Sequence, residues 1–416
     1  SAASDVYKRQ IYNKVKQFRL IISLLLAWTF MAAQAQKREI YAAQDQIKAG
    51  KNLDKARQSM ANLLKDPANR TNEKIWLTLY DALTGLYEQG NEKLYLKQPY
   101  DTAALFNITK AMFETAESLD SVEAAPDRRG RVRTKYRRKH ADYLNRIRPN
   151  LYNGGTYFIH RRRFADAYAF FNAYIGCAKQ PLFREYNYSE TDSVLPQAAY
   201  YAAYCGYMNG DPKATLHHTY WALKDTAHNR FMLQYLADTY RQEGDTARYV
   251  STLREGFGKY ATFPFFFSRL IDYYLKVNRP DSAMRVTDRA LQADSLNPTF
   301  RYAKSTLLLN AGHYDECIAI CDALLAKDSL MADAWLNAGL AYFNRAVELD
   351  KNVQRHRKYR SRIMADYKAA LPYLRRFREL APNEREKWAL PLYTIYLNLN
   401  MGEEFDEIDK LLRNKK

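Results

Sequence analysis

The second half of the chain repeats a pattern of small, aromatic and turn-forming residues every 34 positions. Five units follow one another without gaps from residues 196, 230, 264, 298 and 332. Their fifteenth positions, most of which hold residues that tolerate a left-handed turn, are Gly210, Gly244, Asn278, Gly312 and Ala346. Three units open with a proline that suits a helix start, namely Pro196, Pro264 and Pro298. The pattern predicts two helices per unit, each of about 12–14 residues, joined by a short turn.

Each predicted helix pair has an apolar stripe that it cannot bury by itself, so consecutive pairs must stack. Small residues recur where the two helices of a pair would approach each other. They occupy position 8 of the first helix, as in Ala203 and Ala237, and position 20 in the second helix, as in Ala283 and Cys317. The sequence therefore predicts an all-α fold, an α-solenoid superhelix of stacked antiparallel helix pairs.

Three stretches of the chain resemble the tetratricopeptide repeat family. Residues 335–342, WLNAGLAY, are similar to the first helix of that repeat, and residues 312–317, GHYDEC, to its turn into the second helix. Residues 370–382, ALPYLRRFRELAP, are similar to the second helix with its closing proline. Thr215 and Tyr249 depart from the small residue expected at position 20. The resemblance implies a right-handed superhelix whose concave groove binds peptides or protein segments.

The repeats extend towards the N terminus with less regularity. A unit at 148–181 precedes the gapless array and is followed by an insertion at about 182–195. A degenerate unit starts near residue 37, with Leu53 and Ala56 at core positions, and 71–147 is predicted to be helical but out of register. We therefore expect an N-terminal helical region with one degenerate repeat over 36–147 and a repeat superhelix over 148–416.

A second insertion interrupts the unit at 332, near residues 344–365. Its turn position is Ala346, a good helix former, and the small residue expected at 351 comes 19 residues later, at Ala370. The inserted residues are poor in apolar side chains, so we expect two elongated helices that project into solvent. The projection carries the basic residues Arg355, Arg357, Lys358, Arg360 and Arg362.

The first 35 residues have the pattern of a targeting segment. Residues 1–10, SAASDVYKRQ, resemble the translation of a transposase-library sequencing adapter and are excluded from the fold. Residues 11–35 combine a basic start, an apolar run over 20–33 and an A-x-A site that ends at Ala35. We expect an export signal that is cleaved near Ala35, leaving a periplasmic or extracellular chain without a transmembrane span. A buried helix or a permanent anchor is the alternative.

Composition narrows the range of partners. The chain has 34 Tyr and 19 Phe, which serve both helix contacts and recognition surfaces. Its net charge is +18, and removal of residues 1–35, with five basic residues and one acid, leaves +14. We expect an exported protein of this charge to meet acidic proteins or anionic envelope polymers rather than nucleic acid.

No catalytic motif occurs in a supporting context. Residues 256–261 fit the pattern GxGxxA, but a helix precedes them where a dinucleotide site needs a strand. His217 and His218 are adjacent and have no further ligand at the spacing of a metal site. We therefore predict no enzymatic activity, no cofactor and no metal.

The four cysteines are interpreted in two pairs. Cys317 and Cys321 occupy core positions on one helical face and are predicted to be small buried thiols. Cys177 and Cys205 come from neighbouring units, where a disulfide is an open alternative in an oxidising compartment.

The family resemblance places positions 2, 5, 9 and 12 of each first helix on the concave groove. These positions combine aromatic rings with a few charges, as recognition surfaces do. The predicted groove residues are Tyr200, Tyr204, Tyr207, Phe231, Gln234, Asp238, Arg241, Phe265 and Asp272. Because two of them are carboxylates, the carboxylate clamp of some family members is not expected here. The alternative is that these aromatic rings pack against neighbouring helices.

A basic run with one interleaved tyrosine follows a predicted loop at 125–127. Its cations are Arg128, Arg129, Arg131, Arg133, Lys135, Arg137, Arg138 and Lys139.

The preferred function of the chain is that of a non-enzymatic exported scaffold that binds protein or peptide segments in its groove. The alternative function is electrostatic binding of an anionic envelope polymer, or of nucleic acid, through 128–140 and 351–362, with affinity that falls steeply as salt rises. A solvated basic surface without a partner is the third interpretation.

Overall fold

The computed structural model describes residues 34–127, 129–351 and 353–413, except for the side chains of 353–356. The adapter-like residues 1–10, residues 11–33 of the predicted export signal and Arg128 lie outside the described residues, as does the side chain of Arg355. The described residues form helices joined by turns, and no strand occurs among them. The predicted all-α fold of stacked antiparallel helix pairs is therefore confirmed.

The described residues up to Thr239 form the first of two compact units, which we call unit 1. Its helices are α1 (34–48), α2 (Leu53–Leu63), α3 (Glu73–Tyr95), α4 (Thr102–Glu123), α5 (Arg137–Ile147), α6 (Pro149–His160), α7 (Phe164–Gly176), α8 (Tyr188–Thr191), α9 (Leu195–Met208), α10 (Pro212–His217), α11 (Thr219–Ala222) and most of α12 (Asn229–Gln242). Short 3₁₀ helices span Pro67–Thr71, Cys177–Lys179 and Pro181–Tyr186. Leu53 and Ala56 of the degenerate repeat are both buried.

Unit 2 begins at Tyr240. Its complete helices are α13 (Thr246–Lys259), α14 (Pro264–Lys276), α15 (Pro280–Ala293), α16 (Pro298–Asn310), α17 (Tyr314–Leu325), α18 (Ala332–Asp350), α19 (Val353–Leu380), α20 (Arg385–Asn398) and α21 (Gly402–Arg413). Proline occupies the first position of α14, α15 and α16, where its missing N–H costs no intrahelical bond.

In most pairs a residue in the left-handed backbone conformation ends the first helix, at the fifteenth position of the repeat. In unit 1, Gly210 has φ 65°, and in unit 2, Gly244, Asn278 and Gly312 have φ 74°, 54° and 79°. Glycine and asparagine adopt this conformation at little cost. Arg162 takes the same position in the unit at 148 with φ 56°, although it is neither glycine nor asparagine.

Glycines allow close helix contacts in unit 1, and Gly206 and Gly155 give two examples. A Cβ on Gly206 of α9 would lie 2.4 Å from the backbone nitrogen of Thr215 in α10. A Cβ on Gly155 of α6 would lie 2.5 Å from the ring of Phe171 in α7. Real Cβ atoms are not found at such distances, so these helices pack with backbone against backbone or against a ring.

The repeat that starts at residue 332 contains the two longest helices of unit 2. Ala346 lies inside α18, which has 19 residues, and α19 has 28 residues. Other helices of this unit have 12 to 14 residues. The part of the pair that continues the repeat stack is anchored by buried aromatic rings, among them Tyr367, Phe377 and Trp388.

Candidate polypeptide-binding surface

Three tyrosines from two adjacent first helices form a stack in unit 1. The ring of Tyr235, in α12, lies 4.5 Å from the ring of Tyr207 and 6.0 Å from that of Tyr204, both in α9. All three side chains are half-buried. Gln234, the neighbour of Tyr235, is also half-buried. We call Tyr204, Tyr207, Gln234 and Tyr235 the tyrosine surface.

A hydrogen bond holds one ring of this surface in place. The hydroxyl of Tyr207 donates to Oδ2 of Asp238 at 3.1 Å, and Asp238 is itself buried. On the other side, Tyr204 makes an edge-to-face contact with Phe164 of α7, with ring centroids 5.8 Å apart. Both predicted groove tyrosines therefore keep fixed positions while part of each ring stays accessible.

Tyr200 lies beneath the tyrosine surface rather than on it. Its side chain is only 6% exposed, and its ring stacks on His228 at 4.4 Å. Its hydroxyl lies 3.5 Å from that of Tyr235, and burial raises the pKa of Tyr200 well above the ordinary value. For this residue the arrangement matches the alternative interpretation, in which a groove-position ring packs against a neighbouring helix.

The remaining predicted groove residues are divided between the two units. In unit 1, Phe231 is half-buried. In unit 2, Arg241 and Asp272 are exposed, and Phe265 is half-buried with its ring 5.4 Å from that of Phe266. Within unit 2 the structure therefore presents one accessible cation, one accessible carboxylate and part of one aromatic ring from this set.

The basic run is partly neutralised by carboxylates of unit 1. Arg137 donates to both oxygens of the buried Asp120, at 2.6 and 2.9 Å. Nε of Arg131 donates to Asp127 at 3.0 Å, and the ammonium of Lys135 lies over the ring of Tyr136. The exposed cations of the run are Arg129, Arg131, Arg133, Lys135, Arg138 and Lys139. Arg137 thus serves the fold rather than the surface.

The second basic segment lies at the start of α19. Arg357, Lys358, Arg360 and Arg362 are all exposed, and Lys358 lies 5.2 Å from the ring centre of Tyr359. The buried, apolar side chains described for α19 begin at Ile363, which is 1% exposed. The cations therefore occupy the solvated part of the long helix.

The spacing of the helix pairs decides the architecture. Three first helices of unit 2 begin at Pro264, Pro298 and Ala332, one period of 34 residues apart, and each is followed by a second helix. The chain has the architecture of a tetratricopeptide repeat protein. Of the stretches that resemble the family, residues 312–317 lead into α17, residues 335–342 lie within α18, and residues 370–380 lie within α19.

Solved structures similar to this chain include tetratricopeptide repeat proteins. A tetratricopeptide repeat protein from Parabacteroides merdae is 17% identical, with 64% of this chain and 99% of that chain covered and a TM-score of 0.35. Yeast Tom70 is 12% identical, with 91% and 92% covered and a TM-score of 0.34. YrrB, described as a TPR protein with an unusual peptide-binding site, is 16% identical, with 61% and 96% covered and a TM-score of 0.26. These values are too low to show what this chain binds.

No family model matches the chain, and no curated protein matches it. Across the residues that the structure describes, no cluster of His, Cys, Asp and Glu could hold a metal ion. None of the helices described is sufficiently long and apolar to cross a bilayer.

The most buried charge pair was missed by sequence reasoning. Arg148, which precedes α6, lies 2.8 Å from Asp192 in the insertion, and its guanidinium lies between the rings of Tyr174 and Tyr188 at 3.7 and 3.8 Å. Both charged side chains are less than 10% exposed. The partners come from different elements, and no local spacing links them. This pair connects the insertion to the repeat that precedes it.

Tyr235 was also missed, because it is the sixth residue of its repeat rather than one of the positions assigned to the groove. The same position in the preceding repeat is Tyr201, which stacks on Phe171 at 5.6 Å. An aromatic ring at position 6 of two consecutive repeats was the available signal. Position 6 lies at the flank of the groove face and brings rings of successive repeats together.

The histidine pair forms a contact that a continuous helix would not allow. The rings of His217 and His218 stack at 4.1 Å because α10 ends at His217 and α11 begins at Thr219. Nε2 of His218 lies 2.9 Å from Oδ1 of Asn172, and burial lowers the pKa of His218 to about 4. His218 is therefore a neutral core side chain at physiological pH.

All four cysteines are buried and carry free thiols. Burial raises the pKa of Cys177 and of Cys205 to about 12. Cys317 and Cys321 lie in the core cluster of unit 2, at the positions expected from the repeat.

Proposed function

We propose that this chain is an exported, non-enzymatic scaffold that binds a protein or peptide segment on the tyrosine surface of unit 1. The observation that carries the proposal is the stack of Tyr207 on Tyr235 at 4.5 Å, with both rings half-buried. Rings with an apolar body and a wet hydroxyl are enriched where proteins recognise one another.

The arrangement also lowers the cost of binding. Stacking and the hydrogen bond from Tyr207 to Asp238 already restrict the rotamers of these rings. Ordering a rotamer-rich side chain on binding costs about 0.5–1.5 kcal/mol, so a surface ordered in advance retains more of its contact energy. The ligand that fits is a polypeptide segment. Its apolar side chain would pack on the tyrosine rings, and its backbone amides would form hydrogen bonds with the tyrosine hydroxyls.

Capture from envelope extract by the chain 36–416, with washes at high salt, tests this proposal. A discrete protein should be retained, and Tyr204→Ala or Tyr207→Ala should weaken its capture about tenfold or more, as loss of a buried aromatic anchor does. Tyr95→Ala is the matched control, since Tyr95 lies in the same unit and is 85% exposed. Equal capture by all three variants would rule out the tyrosine surface as the binding site.

A second candidate function is electrostatic binding of an anionic envelope polymer by the basic run. Its support is the exposure of Arg129, Arg133, Arg138 and Lys139 in one short segment. Affinity for a polyanion should fall steeply with salt, because binding releases condensed cations. Arg133→Gln with Arg138→Gln should reduce that slope, whereas Lys48→Gln, at another exposed cation of unit 1, should change it less.

Export rests on the sequence of residues 11–35 and is part of the proposal. Cell fractionation after expression in a bacterium should recover a chain that begins at Gln36 outside the cytoplasm. Replacing the small residue at the cleavage site, as in Ala35→Leu, should leave the longer precursor. Recovery of the full-length chain in the cytoplasm from both versions would refute export.

A further inference from the structure

A cleft lies between two consecutive repeats of unit 2, on the side of their helix-to-helix turns. Its volume is about 620 Å³, within the range of ligand pockets. It is lined by the end of α14, the start of α15, the second half of α16 and the start of α17. None of the predicted groove residues lines it.

The floor of the cleft is apolar. Leu307 and Leu308 are buried, and Met284 packs on the core cluster that contains Cys317 and Cys321. Leu275 is 41% exposed and lines the cleft at the end of α14. Val277, two residues on, is 44% exposed but does not line the cleft. Covering a leucine this accessible with an apolar side chain of a ligand removes its surface from water, which favours binding.

The rim of the cleft is acidic, in contrast with the net charge of +18 of the whole chain. Three carboxylates line it, on Asp281, Asp288 and Glu316, against one ammonium, on Lys304. Lys304 donates to Asp288 at 2.9 Å, so these two charges offset each other. Asp281 and Glu316 remain as exposed carboxylates, with Nδ1 of His313 at 3.6 Å from Glu316.

We propose that this cleft is a second docking site, for a polypeptide segment that presents apolar side chains beside a lysine or arginine. The apolar side chains contact Leu275, Met284 and Leu307, and the cation lies near Asp281 and Glu316. Charge complementarity selects the cationic segment and would repel an acidic one. The cleft shares no residue with the tyrosine surface, so either proposal can be correct without the other.

A polypeptide fits the cleft better than a compact cation does. A small polyamine would leave much of Leu275 exposed, because it has no apolar side chain to cover it. Leu275 lines the cleft and is 41% exposed, so an apolar side chain of a bound segment can cover it. The ligand therefore needs apolar and cationic groups on one face, as an amphipathic peptide has.

Fluorescence anisotropy with the chain 36–416 tests the proposal directly. The probe is a short fluorescein-labelled peptide in which leucine and lysine share one helical face, and two further probes replace either leucine by serine or lysine by glutamate. The parent probe should bind, and each replacement should weaken binding about tenfold, which is about 1.4 kcal/mol.

Protein variants assign the binding to the cleft. Asp281→Lys with Glu316→Lys, or Leu275→Ser alone, should each lower the affinity of the parent probe about tenfold. The matched control is Glu243→Lys with Glu255→Lys, which makes the same change of charge elsewhere in unit 2 at two exposed residues. Circular dichroism of each variant establishes that the helices are intact.

The outcomes separate the alternatives. Equal loss with the control pair would mean that the peptide senses only the overall charge, and would overturn the proposal. Spermine competing as well as the parent peptide would also overturn it, because it would show that the apolar floor contributes nothing. Tyr204→Ala should leave binding of the probe unchanged, so failure of the tyrosine surface would not affect this result.

Discussion

Arg148 and Asp192 lie 2.8 Å apart in the interior of unit 1, and two tyrosine rings enclose the guanidinium. The guanidinium also donates to the backbone carbonyl of Tyr174 at 3.1 Å. A charge buried in this way needs its partner, because removal of one member leaves the other charge buried with neither a partner nor water to compensate it.

Arg148→Ala should therefore destabilise the protein by about 3–5 kcal/mol, the cost of breaking a buried ion pair. Urea unfolding followed by circular dichroism measures the change. Arg146→Ala is the control, since Arg146 is exposed two residues earlier, and its effect should stay within about 0.5 kcal/mol. A loss of similar size in both variants would mean that the buried pair has no special weight.

Gly206 should not tolerate alanine. The added Cβ would meet the backbone of Thr215 and Ala214 at 2.4 to 2.9 Å, and backbone atoms cannot swing aside as a side chain can. Overpacking of this kind costs about 1–3 kcal/mol. Gly176→Ala is the matched control in the same unit, because nothing lies within 4 Å of its added Cβ. Thermal unfolding of Gly206→Ala should shift to lower temperature, while Gly176→Ala should be neutral or slightly stabilising.

Lowering the pH should destabilise unit 1 through His218. Burial first, and then the neighbouring His217 and Lys179, lower its pKa from the ordinary 6.5 to about 4. Between these values the unfolded chain binds the proton and the folded chain does not, so stability falls as the pH falls from 6.5 towards 4. His218→Gln should flatten the dependence of the unfolding free energy on pH in this window. An unchanged slope would show that His218 is accessible to protons in the folded state.

Glu117 should act in the opposite direction. Burial, and to a smaller extent Glu114, raise its pKa from the ordinary 4.5 to about 7. The folded chain therefore binds a proton that the unfolded chain releases, and the resulting stability is present below pH 4.5 and is lost as the pH rises to 7. Glu117→Gln should remove this loss and raise the stability at neutral pH relative to the parent. A double variant with His218→Gln should show additive slopes if the two groups titrate independently.

The thiols should be inaccessible in the folded protein. All four are buried, and the raised pKa values of Cys177 and Cys205 leave little reactive thiolate at pH 8. Titration with an aromatic disulfide reagent should detect almost no thiol before urea is added and all four afterwards. Detection of only two in urea would reveal a disulfide, with Cys177 and Cys205 as the pair to examine.

The helix positions could be predicted because local chemistry repeats with the period of the fold. Pro264 and Pro298 start helices, and Gly244, Asn278 and Gly312 end them, each through a conformational preference of its own. Arg162 has no such preference, yet it occupies the left-handed turn of its unit. At Arg162 the packing of α6 against α7 imposes the left-handed conformation, so the residue type does not predict it.

Recognition residues were harder to predict because a groove position fixes the face of a helix but not the depth of the side chain. Tyr200 and Tyr204 were assigned to the same face, and only the structure shows that His228 covers the first of them. Arg148 and Asp192 were missed for a related reason, since their contact depends on how the insertion returns to the stack. The cleft beside Leu275 likewise depends on the gap between repeats, which no single repeat encodes.

The length of α19 sets a distance between the repeats and anything that approaches them from the turn side. At about 1.5 Å per residue, its 28 residues span about 42 Å, against about 21 Å for a neighbouring helix of 14 residues. Its partner α18, with 19 residues, is about 8 Å longer than a helix of 14 residues, so a broad flat surface that meets the end of this pair would be held roughly that far from the adjacent turns. Shortening α18 and α19 together should let such a surface come closer to those turns, so the long pair would set the distance of approach.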